Sequence, residues 1–259
     1  DFMPFSSQLN FLGNPIPYWY YVSGNNIEKE QVPSKEFMEE ELENFINEQI
    51  KNCNFEEYYK DGYKISLGNP ETNVIIRDKD IKANLQMNIA VNFGEDNAVI
   101  SEHEKIVDSN LGGLYDSAKV VYEHEQNNLF LEKYAVDNLR LYAPVDGVEI
   151  TCSPLHWNAD EVFANLAENI ETNTLALRNN GEKNNYFIIK NLPISSNYEV
   201  RFINSKEWSK NFEVEPSDDN LLFVNPIGNQ PDLGILGFCY VPYHFVYNLK
   251  YPVLVQVSK

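Results

Sequence analysis

The sequence predicts an α+β fold: an N-terminal helix, an antiparallel hairpin sheet and further helices, followed by a β-rich C-terminal region. Three observations carry this. A capped, amphipathic stretch begins after Pro33, a strict apolar–polar alternation runs from Ile81 to Phe93, and beyond Gly181 strand-like segments succeed one another. Helical patterns stop near residue 180. Residues 1–180 are therefore expected to form an α+β domain with an apolar, extended N-terminal segment, and residues 181–259 a β-rich domain or subdomain.

Each element follows from local chemistry. The opening "NPIPYWYYVSGNN" holds Pro15, Pro17 and an unbroken run from Tyr18 to Tyr21, has no helical period, and suits extended backbone. Next, Ser34 is a natural N-cap, and Glu36, Glu39 and Glu40 favour the positive end of the helix dipole. Phe37, Leu42, Phe45, Ile46, Ile50 and Cys53 recur at three- and four-residue spacing, which predicts that they form the buried stripe. Gly62 suits a left-handed cap after it. "YKISL" alternates as a strand, and a hairpin is expected around Asp78-Lys79-Asp80. In its second arm Ile81, Ala83, Leu85, Met87, Ile89, Val91 and Phe93 share a face, opposite Lys82, Asn84, Gln86, Asn88 and Asn92. Helical spacing returns from Leu114 to Tyr142. "GVEITCSP" reads as a short strand carrying Cys152, and Asn158 with Glu161 forms a capping-box pattern that opens another helix.

Charge narrows the classes of function. Twenty basic against 39 acidic residues leave a net charge of −19, a field that repels phosphate backbones and anionic lipids, so no nucleic-acid partner is expected. No run of about 18 apolar residues occurs, so any membrane link would need an anchor absent from this chain. The first residue is Asp, from which removal of upstream sequence is expected.

Motifs for chemistry are lacking. The sequence has no GxGxxG, GxxxxGK[ST], GxSxG, HExxH or SxxK. His103 and His124 lie between glutamates, but neighbours at i±1 point apart and cannot converge on an ion, so both read as solvated. His156, after Cys152, lacks the positive surroundings that activate a thiolate, and His244 reads as a packed strand residue. "DKD" and "PSDDN" lack the Gly and Glu of a calcium loop. No catalytic residue, cofactor or metal is expected. Cys53, Cys152 and Cys239 have no zinc spacing, and spacing alone leaves all three pairings open.

Several segments in succession carry a resemblance: "IPYWYY", "INEQIKNCNFEEY", "GNPETNVIIRDKDIKANLQMNIAV", "GGLYDSAKVVYEHE", "VEITCSPLHW" and "LGFCYVPYHFVYNLKYPVLVQV". Together they resemble a family of archaeal surface-exposed, pilin-like, membrane-anchored proteins from small-genome symbiotic lineages. The resemblance implies an anchor upstream of Asp1, an extracellular location and no known catalytic residues. In that setting Cys53 and Cys152 become the disulfide candidates, with Cys239 free or joined elsewhere.

The expected function is that of a non-enzymatic extracellular structural protein, a self-assembling subunit of a surface filament or layer. Phe2, Phe5, Leu9 and Phe11, together with Tyr18 and Trp19, are the assembly candidates. The apolar terminus lies in a groove of its own domain, or pairs with the edge of a neighbouring subunit's sheet to make a homo-oligomer. "YPVLVQVSK" supplies a second candidate edge. The rivals are an adhesin-like module that binds glycans or partner cells through Tyr and Trp, and a secreted hydrolase built on two facing carboxylates.

Overall fold

The structure, a computed structural model, describes residues 8–179, 187–228 and 239–259. It is an α+β protein with a β-rich C-terminal region, as the sequence predicts. The chain divides into two compact units, Ser6–Asp116 and Ser117–Lys259. The division falls within a helix rather than near 180, and strands on both sides of 180 share one sheet.

The first unit opens with two hairpins, β1 (Gln8–Phe11) with β2 (Asn14–Pro17) and β3 (Tyr20–Val22) with β4 (Glu28–Glu30). Helix α1 (Lys35–Gln49) follows, then a 3-10 turn (Ile50–Asn52) and α2 (Glu56–Lys60). Ser34 caps α1 through the Phe37 amide, as expected. Gly62 is left-handed at φ +93, and it follows α2, not α1. The sheet comprises β5 (Lys64–Leu67), β6 (Glu71–Ile76), β7 (Asp80–Phe93) and β8 (Asp96–Asp108). β7 is its spine: β5 and β6 pair in tandem along one side and β8 along the other, all antiparallel.

α1 lies along the outer edge of β6 and is tied to it by three regularly spaced contacts. Glu39 Oε1 accepts from the Ile76 amide (2.8 Å), Glu43 Oε1 from the Val74 amide (2.8 Å), and Asn47 Oδ1 from the Thr72 hydroxyl (2.7 Å). Every fourth helix residue meets every second strand residue, because both steps advance the chain by roughly 6 to 7 Å. The inward face of α1 is therefore Met38, Glu39, Leu42, Glu43, Ile46 and Asn47. Phe37 and Phe45, expected on the buried stripe, are exposed, and so is Cys53. The polar ladder sets the rotation of the helix, and the aromatics are left outside.

Beneath α1 the buried residues are Thr72, Val74 and Ile76 of β6 with Leu85 and Met87 of β7. The expected alternation holds at the centre of β7, where Gln86 and Asn88 are exposed, but Phe93 at its end is also exposed.

The second unit begins within α3 (Leu111–Asn128), whose first turn approaches the β6–β7 turn so closely that a Cβ on Gly112 would sit 2.5 Å from the Arg77 carbonyl. The expected helical stretch 114–142 is two helices, because Leu129 at φ +50 breaks it before α4 (Phe130–Tyr142). β9 (Asp146–Glu149), β10 (Leu155–Asn158) and α5 (Ala159–Ala176) follow, and the Asn158 cap accepts from the Glu161 amide as expected. Then come β11 (Leu177–Arg178), β12 (Phe187–Ile188), β13 (Glu199–Ile203), β14 (Asn211–Glu215), β15 (Leu221–Val224), β16 (Val241–His244), β17 (Val246–Lys250) and β18 (Leu254–Ser258).

The strands β12-β11-β13-β18 form one sheet, while β10-β15, β14-β17 and β16-β9 are separate antiparallel pairs. Val121, Leu177, Val200 and Phe202 form one core, and Ala159, Val214, Leu222 and Phe245 a second beneath Trp157 and Tyr243.

The ladder yields a test. Glu43→Ala leaves the part-buried Val74 amide without its acceptor and is expected to cost about 1–3 kcal/mol in urea unfolding, whereas Glu43→Gln, which keeps an acceptor, costs under about 1 kcal/mol.

Candidate functional site

The two outer edges of the first unit's sheet are built differently. On the β6 side, α1 supplies acceptors for the outward-facing amides. On the other side lies β8, thirteen residues long and paired, among the described residues, with β7 alone. The register settles which groups β8 presents. Because Val74 and Ile76 turn their amides away from β7, Lys82 and Asn84 bond to β6, so Ile81, Ala83 and Leu85 bond to Val107, Lys105 and His103. Glu102, Glu104 and Ile106 therefore turn their backbone N–H and C=O groups outward.

The edge is also apolar. Val99 is 63 % exposed, Ile100 53 %, Ile106 48 % and Val107 52 %, two pairs flanking the polar centre Ser101–Lys105. Proteins ordinarily shorten, charge or cover such an edge. Here Glu102, Glu104 and Lys105 provide charge at the centre and Asp96 and Asp108 at the two ends, and Glu104 is held by Lys82 at 2.7 Å.

The β7–β8 register slips by one residue between Gln86 and Ile89, and the displaced Met87 carbonyl accepts from His103 Nε2 at 3.1 Å. The half-buried His103 is thus a latch across the irregularity, not the solvated residue expected. His124 lies against Asn128 and Phe130. His156 is exposed on β10, and His244, expected to be packed, is exposed at the end of β16. Among the described residues no group of three or more His, Cys, Asp or Glu side chains could hold a metal ion.

The N-terminal candidates fall in three classes. Phe2 and Phe5 lie outside the described residues. Leu9 is buried in β1, and Phe11, Tyr18 and Trp19 are half-buried. The segment forms hairpins, not a single extended arm. Trp19 packs on the Tyr115 ring at 6.1 Å, Tyr115 donates to the Pro33 carbonyl (2.6 Å), and Lys35 pairs with Asp116 (2.7 Å). Burial holds the Tyr18 hydroxyl pKa above its ordinary value.

The prolines now have a role. Leu12 and Gly13, both at positive φ, make a two-residue turn, so Phe11–Asn14 and Leu9–Ile16 are the hydrogen-bonded pairs. Pro15 and Pro17 occupy the alternate positions, where an amide would face outward. The outer edge of β2 therefore offers no donor at either place.

The cysteines are corrected. Cys152 is bonded to Cys239, with 4.8 Å between their Cα atoms, and Cys53 is free and exposed. Cys152 lies beyond the end of β9, not in a strand. Because β9 pairs with β16, which follows Cys239 closely, the pairing is set by a strand ladder between residues 146–149 and 241–244 that local spacing does not reveal. Among the described residues no helix is long and apolar enough to cross a membrane. Comparison of the chain with protein-family models, curated proteins and solved structures finds no match.

A non-reducing peptide map should recover Cys152 joined to Cys239 and Cys53 alkylated. Reduction of this bond, which closes a segment of 87 residues, is expected to lower stability by about 3–5 kcal/mol, read as a fall in Tm.

Proposed function

We propose that the protein is a non-enzymatic structural protein of the archaeal cell surface that self-associates through the β8 edge. The observation that carries this reading is the asymmetry of the sheet: one edge is closed by carboxylate acceptors on α1, while the other presents outward backbone groups flanked by exposed Val99, Ile100, Ile106 and Val107. An added strand gains main-chain hydrogen bonds and buries those side chains together. The apolar balance of the unit argues in the same direction. Both hydrophobic core clusters found among the described residues lie in the second unit, whereas the first buries little beyond the strip under α1. Large exposed apolar surface of this kind marks interaction sites. The Cys152–Cys239 disulfide supports an oxidising, extracellular compartment.

The N-terminal segment is the weaker assembly element, because Leu9 is already buried and β2 lacks donors at Pro15 and Pro17. The test is electron microscopy and light scattering of the concentrated, non-reduced protein. Wild type is expected to form filaments, sheets or defined oligomers. Ile106→Pro removes an outward amide while sparing the β7–β8 ladder, and it is expected to lower association at least tenfold with the fold retained. Dispersed wild-type monomers at high concentration overturn the reading, as does unimpaired assembly of the folded variant.

A further inference from the structure

The ladder to β6 fixes which side of α1 meets the sheet, and so fixes what the helix shows to water. Phe37, Glu40, Glu41, Asn44, Phe45 and Glu48 are all exposed, at a three- and four-residue spacing that complements the inward set. Phe37 is 53 % exposed and Phe45 59 %. They stand about 12 Å apart along the helix axis, with Glu41 between them. The helix holds one basic residue, Lys35, which is half-buried and bonded to Asp116 at 2.7 Å. Its outward face therefore sets two apolar rings among charge of one sign.

Neither property alone is informative. Single exposed apolar side chains are ordinary, and a row of glutamates is an ordinary solvated face. The combination is different, because the fold had the means to hide the rings. Rotating α1 would carry Phe37 and Phe45 toward the sheet and Glu39 and Glu43 into water. The strand amides need those two carboxylates, so the rings stay outside. Aromatic side chains collected within a charged surround are the usual make-up of a protein interface.

We propose that the outward face of α1 is a docking surface for a cationic amphipathic segment of another protein. Its apolar side chains sit on Phe37 and Phe45, and its Lys or Arg residues pair with Glu40, Glu41 and Glu48. Charge complementarity selects this occupant. A second copy of the chain, at −19, brings the same sign to the face, as do nucleic acids and anionic lipids. A wholly apolar partner buries the glutamates without compensation. A segment with basic and apolar residues on one stripe meets both demands, because the Lys and Arg stems also cover ring surface and their charged ends are attracted to ring faces. The surface lies at the β6 edge and β8 forms another edge of the same sheet, so docking does not depend on association through β8.

The test is a fluorescence-anisotropy titration of the full chain with a labelled peptide of Lys and Leu at helical spacing. It is run at a dilution where light scattering reports monomers only. Wild type is expected to bind saturably, with affinity falling at least tenfold from about 50 to about 500 mM NaCl. The double variant Phe37→Ala, Phe45→Ala should bind at least about tenfold more weakly, and so should the triple variant Glu40→Gln, Glu41→Gln, Glu48→Gln. A control triple at exposed positions of the second unit, Glu149→Gln, Glu168→Gln, Glu207→Gln, changes the net charge equally and should stay within about twofold of wild type. Absence of saturable wild-type binding overturns the proposal, as does undiminished binding by either α1 variant. Equal weakening by the two glutamine triples also overturns it, since the peptide would then be following net charge. If the double variant instead loses self-association at high concentration and keeps the peptide, the face is a contact between copies and the proposal fails. Phe37→Ala keeps the amide that Ser34 caps, and neither alanine touches the ladder. Should the double variant still lose its helical circular dichroism, Phe45→Ala decides alone, and undiminished binding there overturns the proposal.

Discussion

The hydrogen bonds from the amides of Val74 and Ile76 to Glu43 and Glu39 are the constraint on which the first unit depends. A sheet edge in water asks for acceptors along its whole length, and a neighbouring strand is the ordinary supplier. Here a helix does the same work with side chains. That choice fixes the rotation of α1, places Met38, Leu42 and Ile46 over β6 and β7, and leaves Phe37 and Phe45 facing water. It also closes the outer edge of β6 to any further strand.

The N-terminal hairpin manages its exposed side by another route, leaving out donors at Pro15 and Pro17. Three edges in one unit thus receive three treatments: acceptors from a helix, proline, and on β8 a short charged centre between apolar flanks. Along β8 the outward backbone groups of Glu102, Glu104 and Ile106 face no neighbouring strand among the described residues. The second unit has a different character, with two apolar clusters, a disulfide, and left-handed backbone at Leu129, Asn191 and Asp219.

Much of the fold was legible where the signal is local. Ser34 and Asn158 cap their helices, the turn around Asp78–Asp80 joins two antiparallel arms, and Gly62 is left-handed. The face of α1 was not legible, because a reader of periodicity assigns Phe37 and Phe45 to the core and Glu39 and Glu43 to water. Only the spacing of the strand amides across the gap reverses that assignment. Likewise the Cys152–Cys239 pairing depends on β9 meeting β16 from about a hundred residues away. His103 serves a register slip that no alternation rule foretells. The β8 edge was not legible: the segments that sequence marks as candidate edges are the apolar N-terminus and the terminal "YPVLVQVSK". Its exposed residues look, in sequence, like the ordinary second arm of a hairpin.

The ladder between α1 and β6 works like a vernier. Four helix residues advance about 6.0 Å and two strand residues about 6.7 Å, so each successive rung falls roughly 0.7 Å further out of phase. With the middle rung centred, side-chain rotamers absorb the error at the outer two. A fourth or fifth rung would drift beyond hydrogen-bonding reach on at least one end. The contact is therefore self-limiting: three rungs, at 39/76, 43/74 and 47/72, occupy nearly the full six residues of β6. Lengthening either partner would add chain without adding grip, and the short strand beside the long β7 is the length this mismatch allows.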